Sequence, residues 1–218
     1  MSAASASAAP HAGGDRFVDL PAGPRICYRV EGPAEGVPLL LIAGLGLDLT
    51  SWPRPMVDGF VDRGFKVIRF DNRDAGRSSR MPAPPPGRLR QLLARTRPDA
   101  YDLADRAADA HGLLDHLDVD RAHLVGMSTV QASGDRTGEL RRTTAPTLVV
   151  HGDVDRMVHP AGGRATATAI HGAGHVEITG VAHHLAPAVL DRLVELTTDL
   201  ARPHGAAVTA AARTGGAA

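Results

Sequence analysis

The sequence has 218 residues with 24 basic and 24 acidic side chains, so its net charge at pH 7 is zero. A chain of this length predicts one domain with its own core, and the charge balance argues against nucleic acid or an anionic membrane as a partner. The single cysteine, Cys27, excludes an internal disulfide. The apolar runs are much shorter than the roughly 20 residues of a membrane span, and the first residues lack the regions typical of a signal peptide. The expected location is therefore the cytoplasm.

Alanine, glycine and serine dominate both ends of the chain. Residues 1–14 and 202–218 are therefore predicted to be disordered tails around one domain at 15–201. Within this domain, apolar and polar side chains alternate over residues 25–31. We expect this stretch to pair with residues 15–20 as an antiparallel hairpin across a proline-rich turn.

Four short, mostly apolar runs follow, a texture typical of parallel strands covered on both faces. They are residues 38–43, 66–70, 122–127 and 146–150. Apolar residues also recur at helical spacing near Met56, from Leu103 to Leu117 and from Val189 to Leu200. A hairpin followed by alternating strands and helices predicts a mostly parallel α/β sheet. Residues 81–99 interrupt this alternation as a proline-rich loop, with a short helix predicted at 87–96.

The motifs with chemical meaning follow the predicted strands, because ligands of an open α/β sheet bind beyond the carboxyl ends of its strands. Ala43–Gly46 is either a plain turn or a source of backbone N–H groups for an oxyanion. Phe70–Ser78 is a polar loop to which we assign no chemistry. Gly126–Ser128 places a serine directly after the third apolar run, where a nucleophile elbow would hold it.

An acid and a histidine follow this serine in the chain. Asp155 lies after the 146–150 run, and His183 lies after a strand-like stretch at 175–178. In such an arrangement the histidine accepts the serine proton, while the aspartate orients the imidazole and stabilises its charged form. The sequence therefore predicts Ser128, Asp155 and His183 as a catalytic triad.

These motifs resemble the α/β-hydrolase superfamily over residues 25–128 and 133–196. Four segments are similar to the branch that contains the anthracycline (aclacinomycin/rhodomycin) methylesterases: Tyr28–Pro33, Leu39–Leu47, Phe70–Ser79 and Ser133–Thr137. The resemblance implies an α/β-hydrolase fold and a serine esterase that cleaves a small-molecule carboxylic ester through an acyl-enzyme. It also assigns the acid to Asp155 rather than Asp153 and the base to His183 rather than His184. The oxyanion N–H donors then fall on Leu45 and Thr129.

The chain departs from the family pattern just after the serine. The pattern Gly-x-Ser-x-Gly ends here in Val130, and a β-branched residue should crowd a strained turn. Asp155 follows Ser128 by only 27 residues, so we infer an internal deletion after Ser128 that removes the post-nucleophile helix, one strand and the cap. The 146–150 strand is then either displaced or paired with the 122–127 strand, with residues 135–143 as a short helix. Apolar surface on the sheet face would be left exposed.

Three hypotheses about function stay open. The chain is an active ester hydrolase, or it is a catalytically impaired remnant or a non-catalytic binding module. The third hypothesis is a homodimer formed through the exposed sheet face. No cofactor and no metal ion are predicted. His171 and His175 have the spacing of metal ligands on a helix, but Gly172 and Gly174 argue against a helix there.

Overall fold

The computed structural model describes residues 13–21, 23–44, 46–81, 101–128 and 136–202. These residues form two compact units, of which the first ends at Ser128 and the second begins at Arg136. The domain predicted at 15–201 includes both units, and its treatment as a single domain stays a prediction. Most of the two predicted tails and the helix predicted at 87–96 lie outside the described residues.

A five-stranded sheet forms the base of the first unit. Its strands are β1 Arg16–Asp19, β2 Arg25–Glu31, β3 Val37–Ile42, β4 Phe65–Phe70 and β5 His123–Gly126. Their spatial order is β1-β2-β4-β3-β5. The β1–β2 hairpin and the β2–β4 pair are antiparallel, whereas β3 is parallel to both β4 and β5. The parallel strands bring their carboxyl ends, including Ser128 after β5, to the same edge of the sheet.

Two helices pack in this unit, with a short 3₁₀ helix at Leu49–Ser51 before them: α1 Arg54–Asp62 and α2 Leu103–His116. The strand β4 buries five of its six residues and β3 buries its central Leu39, Leu40 and Leu41, which explains their continuous apolar sequence. The helix α1 buries Met56, Val57, Phe60 and Val61 along one stripe. In α2 the fully buried positions are Asp109 and Leu113, whereas Ala107 on the predicted stripe is exposed.

In its described residues, 136–202, the second unit has two parallel strands and three α-helices. They are α3 Thr137–Leu140, β6 Leu148–Gly152, α4 Pro160–Ala169, β7 Gly174–Ile178 and α5 Leu190–Ala201, with a 3₁₀ helix at Pro187–Val189. In the β6–β7 ladder Leu148 lies opposite Gly174, and Gly152 lies opposite Ile178. A small core of Ala167, Ile170 and Ala173 packs with Val149 on β6. None of the helices that the structure describes is long and apolar enough to cross a membrane.

The predicted α/β architecture is confirmed, including the amino-terminal hairpin, the mostly parallel pairing and a short helix within 135–143. Within the described residues β6 pairs with β7 in a two-stranded sheet, and both predicted alternatives for the 146–150 strand stay predictions. The helix α4 provides a short crossover between these two strands, which is the usual connection in a parallel pair. Leu124 on β5 is 63% exposed, and the predicted loss of the post-nucleophile helix stays a prediction, because residues 129–135 lie outside the described ones.

Candidate active site

The backbone at Ser128 has the strained conformation of a sharp turn. Its φ angle is +50°, in the left-handed region that non-glycine residues rarely adopt. Such a conformation costs about 1–3 kcal/mol and persists where the surrounding structure imposes it, often at active sites. The chain therefore retains a tight turn at the serine although Val130 replaces the second glycine of the family pattern.

Gly44 allows the turn at Ser128 to pack closely against the end of β3. The Met127 N–H donates to Ile42 O at 3.0 Å. A Cβ at position 44 would lie 2.5 Å from Ser128 O and 2.6 Å from Met127 O. Both of these atoms are backbone, so a larger residue at 44 would displace the turn itself. The glycine that sequence analysis considered for an oxyanion turn is thus also required by this close approach.

Asp155 is a buried carboxylate at the turn that follows β6. Its Oδ1 atom accepts hydrogen bonds from the Met157 N–H at 2.8 Å and the Val158 N–H at 2.9 Å. Burial acts to raise the pKa of Asp155, but the hydrogen bonds from Val158, His183 and Met157 lower it by more than burial raises it. The pKa is therefore lowered from its ordinary value of 3.8 to about 2. Asp155 is therefore ionised at neutral pH.

His183 binds the other oxygen of this carboxylate. The distance from His183 Nδ1 to Asp155 Oδ2 is 2.7 Å. An ionised carboxylate only accepts hydrogen bonds, so in the neutral imidazole Nδ1 carries the proton and Nε2 is the unprotonated nitrogen. This is the tautomer that a general base needs when it receives a proton from a serine hydroxyl. The geometry joins Asp155 and His183, whose catalytic roles stay predictions.

The loop that carries His183 is fixed to the end of β6. Asp153 Oδ1 accepts a hydrogen bond from the Gly180 N–H at 2.7 Å. The Val154 N–H donates to Val181 O at 3.2 Å. Val181 O also lies so close to Gly152 that a Cβ there would overlap with it. Asp153 therefore holds the histidine loop, while Asp155 binds the histidine itself.

The polar loop after β4 braces the first unit. Arg73 donates two hydrogen bonds of 2.7 Å to the carboxylate of Asp109 in α2. The amide of Asn72 donates to Ala43 O at 2.9 Å and so fixes the turn after β3. The Asp71 carboxylate accepts from the Leu49 N–H at 2.8 Å. These bonds are consistent with a loop that holds neighbouring elements without reacting.

The remaining predicted site residues have different outcomes. Leu45 and Thr129, the predicted oxyanion donors, lie outside the described residues, as does Val130. The described parts of the chain contain no group of three or more His, Cys, Asp or Glu side chains that could hold a metal ion. His151 faces Asp155, with 3.4 Å between Nε2 and Oδ2, although sequence analysis gave it no role. The sequence feature that could have indicated a role for His151 is its position four residues before Asp155.

Residues 37–129 match the family model for the alpha/beta hydrolase fold. This match covers less than half of the chain, and together with the mostly parallel sheet and its amino-terminal hairpin it shows an α/β-hydrolase fold in a shortened form.

Rhodomycin D methylesterase DnrP of Streptomyces peucetius is 40% identical over 115 residues, which are 53% of this chain and 33% of that protein. A non-heme chloroperoxidase of Burkholderia pyrrocinia is 30% identical over 104 residues, 48% of this chain and 31% of that protein. The matches thus span about a third of the length of these curated relatives. The predicted resemblance to the methylesterase branch is confirmed over that part.

Solved structures support the fold over more of the chain. A hydrolase from Pseudomonas aeruginosa PA01 superposes with a TM-score of 0.67 and 21% identity, covering 86% of this chain and 98% of that structure. The enol-lactonase from Burkholderia xenovorans LB400 has a TM-score of 0.65 at 19% identity, covering 84% of this chain and 98% of that structure. At this level of identity the two structures are similar in fold.

Proposed function

We propose that this chain is a serine hydrolase that cleaves a small-molecule carboxylic ester through an acyl-enzyme. Ser128 is the nucleophile, His183 the general base and acid, and Asp155 the residue that orients His183. The backbone N–H groups of Leu45 and Thr129 are the proposed oxyanion donors. The ester class follows from two relatives of Streptomyces, which are rhodomycin D methylesterases.

The reaction that we propose has two halves. Ser128 Oγ attacks the ester carbonyl carbon, and its proton moves to His183 Nε2. The carbon–oxygen bond to the alcohol then breaks, and the alcohol leaves with the proton from His183. In the second half His183 removes a proton from water, the resulting hydroxide attacks the acyl carbon, and Ser128 leaves with the proton returned. The carboxylate of Asp155 stabilises the imidazolium that forms in each half.

The observation that carries this proposal is the Asp155–His183 pair. A carboxylate held ionised by two backbone N–H groups, with an imidazole Nδ1 at 2.7 Å, is the acid–base pair that the chemistry requires. The left-handed backbone of Ser128 supports the proposal independently, because a nucleophile elbow needs that strained turn. The proposal further places the enzyme in the cytoplasm, without a nucleic-acid or membrane partner.

A catalytically impaired remnant or a non-catalytic binding module is the second candidate. The exposure of Leu124 favours it, because this apolar side chain lies on β5, the strand that leads to Ser128, and is 63% exposed. The same exposed face supports the proposed homodimer, which light scattering of the purified chain would detect as a doubled mass. A monomer at every concentration tested contradicts the dimer.

A fluorophosphonate probe separates the two candidates, since it labels an activated serine. We expect the purified chain to be labelled at Ser128, and Ser128→Ala to lose all labelling. His183→Gln should reduce the labelling rate by a factor of about 10²–10⁴, the usual contribution of a general base. Ser79→Ala is the matched control, because Ser79 Oγ accepts from the Arg25 N–H and belongs to the bracing loop. Folded wild-type protein that is not labelled would refute the proposal.

A further inference from the structure

His151 closes the turn that presents Asp155. It is the fourth residue of β6, and its Nε2 atom lies 2.9 Å from Val158 O. A carbonyl oxygen only accepts, so Nε2 carries the imidazole proton. The N–H of the same Val158 donates to Asp155 Oδ1 at 2.9 Å. Both backbone groups of Val158 are thus used, one by the acid and one by His151.

The two histidines meet the same carboxylate oxygen. Asp155 Oδ2 lies 2.7 Å from His183 Nδ1 and 3.4 Å from His151 Nε2. Asp155 Oδ1 is already held by two backbone N–H groups, so rotation of the carboxylate is restricted from both sides. The proton of His151 Nε2 is thus bonded to Val158 O at 2.9 Å, and Asp155 Oδ2 lies 3.4 Å from the same nitrogen.

The helix α4 holds the His151 ring in this place. A Cβ at Gly163 would lie 2.6 Å from His151 Nδ1 and 3.1 Å from its Cγ. The side chain of His151 is only 13% exposed. The adjacent Gly162 is exposed and leaves room, since a Cβ there would be 3.7 Å from Val158 Cγ1. Two neighbouring glycines on one helix therefore differ in whether a methyl group would reach the ring.

We propose that His151 is a positioning residue for the Asp155–His183 pair. By bonding Val158 O and lying against Asp155 Oδ2, it fixes the carboxylate that sets the orientation of His183. The inference rests on the proposed function, in which that orientation decides how well His183 accepts the serine proton. His151 acts through Asp155 and does not touch the reacting atoms.

Four variants test this role. His151→Leu removes the donor, and His151→Gln restores an N–H donor the same number of bonds from Cα. Gly163→Ala moves the ring without changing its chemistry, and Gly162→Ala is its matched control. For each variant we would measure the fluorophosphonate labelling rate of Ser128 and the low-field ¹H NMR resonance of the His183 Nδ1 proton, assigned by its loss in His183→Gln.

We expect His151→Leu to lower the labelling rate about 10- to 100-fold, the range that a small misplacement of a reacting group produces. Gly163→Ala should lower it in the same direction, while His151→Gln and Gly162→Ala stay within about threefold of wild type. The His183 resonance should weaken or shift in the two impaired variants alone. If His151→Leu does not fold, the positioning role is tested by comparing the labelling rates of Gly163→Ala and Gly162→Ala.

The positioning role would be overturned if His151→Leu and Gly163→Ala were both labelled at the wild-type rate and both kept an unchanged His183 resonance. Loss of labelling in His151→Gln as severe as in His151→Leu would also overturn it, because the donor would then not be what matters. If wild-type protein is not labelled while the His183 resonance still responds to His151→Leu, the proposed function fails and the positioning role stands.

Discussion

Replacement of Ser128 by glycine should stabilise the chain relative to replacement by alanine. The φ angle of +50° at this position costs an L-residue about 1–2 kcal/mol. Glycine avoids that cost but loses more chain entropy on folding, by about 0.5–1 kcal/mol relative to alanine. We therefore expect Ser128→Gly to exceed Ser128→Ala by about 0.5–1 kcal/mol in free energy of unfolding. Both variants lack the hydroxyl and its contacts, so the difference reports the backbone alone.

Urea denaturation followed by circular dichroism gives the two free energies of unfolding, and neither variant should react with the fluorophosphonate probe. Asp118 provides the control, because it is exposed and its φ angle is +51° in the turn after α2. Asp118→Gly should likewise be more stable than Asp118→Ala, but both should be labelled like wild type. Equal stability of the two Ser128 variants, alongside a clear difference at Asp118, would refute a strained serine turn.

The remaining predictions concern the second unit. Gly152→Ala should lower the free energy of unfolding by about 1–3 kcal/mol, the usual cost of overpacking, and should slow Ser128 labelling because the new methyl group pushes Val181 and the His183 loop away. Gly138→Ala, where a Cβ meets open space, is the control in the same urea titration, and equal stability of both variants contradicts the close approach. Above about pH 4, Asp155→Asn should have a lower free energy of unfolding than wild type, because the pKa of Asp155 is 3.8 in the unfolded chain and about 2 in the folded one. That advantage of wild type should disappear as the pH falls through about 2, and a difference independent of pH between 5 and 2 would contradict the ionised pair.

The central strands could be predicted from sequence because both of their faces are buried. The run at 66–70 differs from the observed β4 by one residue at its start, since continuous apolar sequence is what burial on two sides requires. The run at 146–150 predicted the bounds of its strand less well, since the observed β6 is Leu148–Gly152 and both ends differ by two residues. Its limits are set by pairing with β7, and hydrogen bonds to a partner strand are not visible in an apolar pattern.

The candidate site divides in the same way. Asp155 and His183 follow strands in the order that the family requires, so a pattern could find them. The burial of Asp109 on α2 could not be found, because it depends on Arg73, 36 residues away in the chain. The place of His151 depends on the absence of a side chain at Gly163 and on the direction of Val158 O. Such contacts arise from the path of the backbone, which spacing alone does not determine.

The bonds that arrange Asp155 and His183 are also local in sequence. The Asp155–His183 bond spans 28 residues, the Asp153–Gly180 bond 27 and the His151–Val158 bond 7. The bond from the Cys27 N–H to Ser78 Oγ in the first unit spans 51 residues, and each doubling of a loop adds about 0.6 kcal/mol to its closure entropy. The acid–histidine pair is thus encoded in one continuous β-α-β stretch. All three hydrogen bonds join residues within 151–183, so we expect an insertion or deletion before residue 136 to leave them intact.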